Sequence, residues 1–93
     1  MKIKTSDLTH ATLDWAVSAA NEDSDIYPYS TSWQEGGPII EREKITLEWT
    51  GENWCAYIRH DEEVFGPTAL IAAMRCYVAS RLGDEVEVPD ELL

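Results

Sequence analysis

Residues 68 to 82 read TALIAAMRCYVASRL, and this stretch decides the fold because it predicts a helix with almost no solvent face. At about 100° per residue, Leu70, Ile71, Met74, Tyr77, Val78 and Leu82 gather on one side, and Ala69, Ala72, Ala73, Cys76, Ala79 and Ser80 on the other. One face is bulky and the other is small. Gly66-Pro67-Thr68 opens the helix and Gly83 closes it, a Pro-then-Gly asymmetry typical of helix ends. In a chain of 93 residues, such a helix is either the centre of the domain or half of a contact with a second chain.

Working outward, Ile45, Leu47 and Trp49 alternate with Thr46, Glu48 and Thr50, then Gly51-Glu52-Asn53 interrupts before Trp54, Ala56 and Ile58 alternate with Cys55 and Tyr57. This is a hairpin over about 45–58. Two strands alone are marginal, so the Ile45/Leu47/Trp49 face is expected to pack on the bulky face of the helix. Toward the N-terminus, Ser6 or Thr9 caps a helix running to about Ala20. Its apolar arc contains Leu8, Leu13, Trp15, Ala16, Val17, Ala19 and Ala20, with His10, Asp14 and Ser18 as a polar stripe. The alanines suit close approach to the small face of 68–82. Lys2-Ile3-Lys4 reads as a short strand.

Between these elements, NEDSDIYPYSTSWQEGG from Asn21 to Gly37 reads as a long irregular connection carrying Tyr27, Tyr29 and Trp33. Such connections are commonly binding loops or disordered, and the aromatics favour partial order. Pro38 then opens a short helical turn through Ile39, Ile40 and Glu43, with an extended reading of IIERE as the alternative. Residues 84–93 form an acidic extended arm. The whole is a single α+β domain over 1–93, with two main helices packed on a small antiparallel sheet.

Lys and Arg total 7 against 18 Asp and Glu, a formal net charge of −11, and no Lys or Arg occurs from Thr5 to Glu41. Binding to a phosphate backbone draws on Lys and Arg, so direct nucleic-acid contact is disfavoured, as is an anionic membrane surface. Basic proteins, or cationic grooves built for DNA, are attracted, although acidity also serves plain solubility. Cys55 and Cys76 show no metal-ligand spacing and are expected to be reduced thiols in the cytoplasm. No apolar run reaches the length of a membrane span, and Met1 to Leu13 lacks the pattern of a secretory leader.

His60-Asp61-Glu62-Glu63 offers imidazole and carboxylates of the kind that bind divalent ions, which makes His60, Asp61 and Glu63 an alternative site. Four consecutive residues do not converge, however, and a solvated loop is the plainer reading. His10 and Asp14 resemble a dyad without a nucleophile. Gly36-Gly37-Pro38 and Gly66-Pro67-Thr68 lack phosphate-loop spacing and a waiting Lys. Arg75 and Arg81, the charges of the 68–82 helix, are expected to form an intrachain salt bridge and a helix-end contact respectively. No cofactor is implied.

Three strings, KIKTSDLTHATLDWAV, WQEGGPIIERE and GPTALIAAMRCYVASRLGDEVEVPDELL, resemble in order the NinX-like family of small phage and prophage proteins. The resemblance implies a bacterial cytoplasm and a family of unknown function, and it supplies no catalytic residues. The expected function is a nonenzymatic accessory protein that binds a host or phage protein, in its sharp form a DNA mimic or inhibitor seated in a cationic groove. The candidate interface comprises Tyr27, Tyr29, Trp33 and Glu35 together with the small face at Ala69, Ala72, Ala73, Cys76 and Ala79; that face and the loop around Trp33 are more than one small domain readily covers, which points to a homodimer. The alternatives are a small enzyme or ligand-binding domain with its site between 33–37 and 60–68, and a subunit that acts by scaffolding.

Overall fold

The computed structural model describes residues 1–59 and 62–93. Among them the chain runs β1 (Lys2–Lys4), a 3-10 turn (Thr5–Asp7), α1 (His10–Ala20), α2 (Trp33–Glu43), β2 (Thr46–Trp49), β3 (Trp54–Tyr57), β4 (Val64–Gly66), α3 (Ala69–Leu82), β5 (Glu85–Glu87) and a final 3-10 turn (Asp90–Leu92). Two antiparallel sheets result, one ordered β2-β3-β4 and one formed by β1 and β5. The fold class is α+β, as the sequence predicts.

The helix of residues 68–82 is α3, and it is the centre of the molecule. Thr68 caps it, its Oγ1 accepting from the Ile71 amide at 3.1 Å, and Gly83 ends it at φ 92°, a backbone angle that favours glycine. Every residue from Leu70 to Val78 is buried. The covering elements belong to the same chain: α1 and α2 on one side, and the three-stranded sheet on the other.

Which face takes which partner differs from expectation. A β-carbon built at Gly66 of β4 would lie 2.6 Å from the Ala72 amide nitrogen and 2.9 Å from its Cα, so strand β4 meets the small face of α3 almost backbone to backbone. The bulky face receives helices instead: Gly36 of α2 abuts Leu70, and the Tyr77 hydroxyl reaches Asn21 at the end of α1, 3.1 Å away. Alanines admit a flat strand more closely than they need admit a helix. Leu8, Leu13, Met74 and Val78, all fully buried, fill the space on the bulky side, each contributing roughly 1.5–3 kcal/mol through its burial.

The hairpin stands where the alternation put it, in register Thr46↔Tyr57 through Trp49↔Trp54. The short strand β4, paired Cys55↔Phe65, is an addition that three residues could not announce. Helix α2 is a correction: it begins at Trp33, five residues before Pro38, and runs through Gly36-Gly37-Pro38. Ser32 starts it, its carbonyl accepting from the Glu35 and Gly36 amides. The acidic extended arm of residues 84–93 is built into the fold. Val86 pairs with Ile3, Val86 and Val88 are buried, and Thr5 bonds the Gly83 and Asp84 carbonyls at 2.6 and 2.7 Å.

The two close glycines make unequal demands. Gly66→Ala drives a methyl into the α3 backbone and is expected to cost about 1–3 kcal/mol, whereas Gly36→Ala meets chiefly the movable Cδ1 of Leu70 at 2.6 Å and regains some helix propensity. Urea unfolding of both variants should therefore show the larger loss at Gly66.

Candidate functional site

The connection between α1 and α2 is held at defined points. Asp14, on the solvent side of α1, accepts from the Ser30 amide at 2.7 Å. One helical turn on, the Ser18 hydroxyl accepts from the Tyr27 amide at 3.2 Å. Asp14 and Ser18 of the polar stripe thus seat the loop on α1. Tyr29 completes the attachment. It is 5% exposed, its hydroxyl donates to Asp23 at 2.5 Å, and Asn21 Nδ2 lies within hydrogen-bond reach of both.

Asn21 also links the loop to the core. Its Oδ1 accepts from the Tyr77 hydroxyl at 3.1 Å and from Arg42 Nη2 at 3.0 Å. Arg42 and Arg81 both lie over the Tyr77 ring, 5.6 and 5.4 Å from its centroid, and converge on Glu43. The bond from Arg42, more than the nearby charge of Arg81, holds the Glu43 carboxyl below its usual range. Arg81 therefore bridges α3 to α2.

What the fixed loop leaves outside is apolar and acidic. Ile26 is 56% exposed, Tyr27 38% and Trp33 55%, and Glu22 and Asp25 beside them are exposed as well. Tyr27 lies edge-on to Tyr29 with ring centroids 6.0 Å apart. Of the aromatics singled out from the sequence, Tyr27 and Trp33 face solvent while Tyr29 is a buried anchor, a correction to its place in an interface. Glu35 is half-buried.

The small face of α3 is a second correction. Ala72 and Ala73 are fully buried and Cys76 is 4% exposed, covered by the chain itself, while Ala69 and Ala79 are half-buried. One of the two grounds for expecting a dimer, an uncovered small face, is therefore absent at Ala72, Ala73 and Cys76, whereas at the other, the loop around Trp33, that side chain is 55% exposed.

His60 and Asp61 lie outside the described residues. Glu63 lies beside Cys55, whose Sγ donates to its Oε2 at 3.1 Å; burial first, then this bond, pushes the thiol up to about 11. A thiol so held stays protonated and is a poor nucleophile. Residues 62–67 line a large cleft, but across it stand residues 4–7 and 84–85, and 33–37 take no part in its lining. The alternative site between 33–37 and 60–68 is thus not assembled in that cleft. Among the described residues no group of three or more His, Cys, Asp or Glu is placed to hold a metal, and no helix is long and apolar enough to cross a membrane.

The fold is thus a small acidic α+β domain that carries a fixed loop and leaves Ile26, Tyr27 and Trp33 exposed. The family model described as "Bacteriophage P22, NinX" matches residues 22–81, and the chain belongs to that family. The match takes in the loop, α2, the three-stranded sheet and nearly all of α3. No curated protein matches the chain.

Burial, and after it the bond to Asp23, pushes the Tyr29 hydroxyl from 10.0 up to about 12. The folded protein therefore keeps a proton that the unfolded chain has already released. This contribution to stability is complete below pH 10.0 and is lost as pH rises through about 12. Unfolding free energies measured across that window should fall with pH, and Tyr29→Phe should flatten the fall while costing about 1 kcal/mol at neutral pH.

Proposed function

We propose that this phage protein is a nonenzymatic accessory factor that docks onto a basic host or phage protein through Ile26, Tyr27 and Trp33. The observation that carries the proposal is the attachment of the 21–32 loop to Asp14 and Ser18 of α1, with Tyr29 bonded to Asp23 inside it, while those three apolar side chains stay in water. A loop already ordered loses little entropy on binding, and exposed Trp and Tyr are the residues around which interface energy concentrates. Glu22, Asp23 and Asp25 set the sign of the partner.

The sharper form of the proposal is occupation of a cationic groove in place of DNA. The domain measures 35 × 23 × 20 Å. A duplex of that length carries about 20 phosphate charges, nearly twice the net −11 of the chain. On charge alone it is therefore the weaker competitor, and the apolar loop has to supply what charge does not.

Affinity capture from infected and uninfected bacterial lysates tests the reading, with wild type set against Trp33→Ala. Retention of a basic or nucleic-acid-handling protein should fall by roughly 30-fold in the variant, with thermal stability unchanged because Trp33 is exposed. Equal retention by both proteins, or no such protein at low salt, overturns it.

A further inference from the structure

Arg75 departs from its expected salt bridge. It is 8% exposed, and among the described residues no carboxylate pairs with it. Its Nε donates to the Leu8 carbonyl at 2.8 Å and its Nη1 to the Phe65 carbonyl at 2.9 Å, tying the approach to α1 and strand β4 to the middle of α3. Nη2 has no hydrogen-bond partner among the described residues. It is not sealed from solvent either, since among the described residues the one buried side-chain polar atom left unpaired is Ser30 Oγ.

Arg75 also borders a cleft whose volume is about 1180 Å³. Arg75 forms part of the lining with Ala79 and Ser80 of α3. Removing a cation from water without a counterion is costly, and burial lowers the guanidinium pKa, with Asp7 acting in the opposite sense. An entering anion would relieve that cost. The remaining charges in the lining are mostly of the other sign: Asp7, Glu52, Glu62, Glu63, Asp84 and Glu85 against Lys4. A polyanion is repelled by such walls, and a purely cationic ligand leaves Arg75 unanswered. The volume also far exceeds one inorganic ion and suits a ligand of peptide size.

We propose that the cleft binds the free carboxylate end of a basic peptide segment, with Arg75 taking the carboxylate and the acidic walls taking its Lys or Arg side chains. An Arg–carboxylate contact is charge-assisted and strong where water is excluded, and the walls select the trailing charge. The surface is separate from Ile26, Tyr27 and Trp33, so either reading can fail without the other.

The test titrates isotope-labelled full-length protein with acetyl-Gly-Lys-Arg bearing a free terminal carboxylate, and with the same peptide amidated, following the Arg75 Nε–H resonance. The free acid should shift that resonance and bind at least about tenfold more tightly than the amide. A variant combining Asp84→Asn and Glu85→Gln should weaken binding several-fold and reduce its salt dependence. Ser80→Trp, placed at an exposed position of the lining, should abolish binding while leaving the spectrum folded, which avoids disturbing the structural bonds of Arg75. Equal binding of acid and amide, no shift at Arg75 up to about 10 mM peptide, or undiminished binding to Ser80→Trp overturns the proposal.

Discussion

Nine consecutive residues of α3 lie out of water, and the remaining elements can be understood as the material that keeps them there. A helix without a polar stripe cannot rest on a single layer, because whichever face is left uncovered exposes apolar surface and alanine methyls together. The chain meets this demand with unlike partners. Side chains of varied size interdigitate between α3 and the two other helices, while on the opposite side the sheet approaches until Gly66 and Ala72 are almost in backbone contact. The absence of a side chain at Gly66 and the single methyl at Ala72 are two halves of one requirement. The position of the sheet, the room for α1 and the seat of the 21–32 loop all follow from it.

The sequence makes the central helix legible because its periodicity extends over four turns and its caps flank it. The hairpin is legible because alternation persists on both sides of Gly51-Glu52-Asn53. Helix α2 is obscured by the local chemistry of Gly36-Gly37-Pro38, which resembles punctuation. Tertiary contact overrides that preference: Gly36 is small because Leu70 and the Tyr29 carbonyl press against it, and Pro38 forgoes one helical hydrogen bond. Burial in an irregular segment carries no period at all, so nothing in NEDSDIYPYSTSW separates Tyr29, which anchors, from Tyr27, which faces solvent. The i, i+4 spacing of Asp14 and Ser18 marks a polar face, but its use as a landing strip for backbone amides depends on where a distant segment returns.

Arg75 shows a similar limit. A lone cation on a buried helix suggests a carboxylate partner, and the acidic composition makes one easy to imagine. The structure supplies two main-chain carbonyls instead. Backbone acceptors are invisible to any reading of side-chain types, yet here they join three parts of the chain through a single residue. The span matched by the family model, residues 22–81, covers α3 almost entirely together with the 21–32 loop and the three-stranded sheet.

The pairing of β1 with β5 has a consequence for synthesis. Ile3 finds its partner in Val86, and Thr5 closes on Gly83 across 78 positions of sequence. During translation β1 emerges long before β5 and has no native edge to join until residues 85–87 have left the ribosome. Contacts of such separation form late and slow folding. The apolar inner surfaces of α1 and the hairpin therefore wait on α3, an interval in which the nascent chain relies on its negative charge to stay apart from its neighbours.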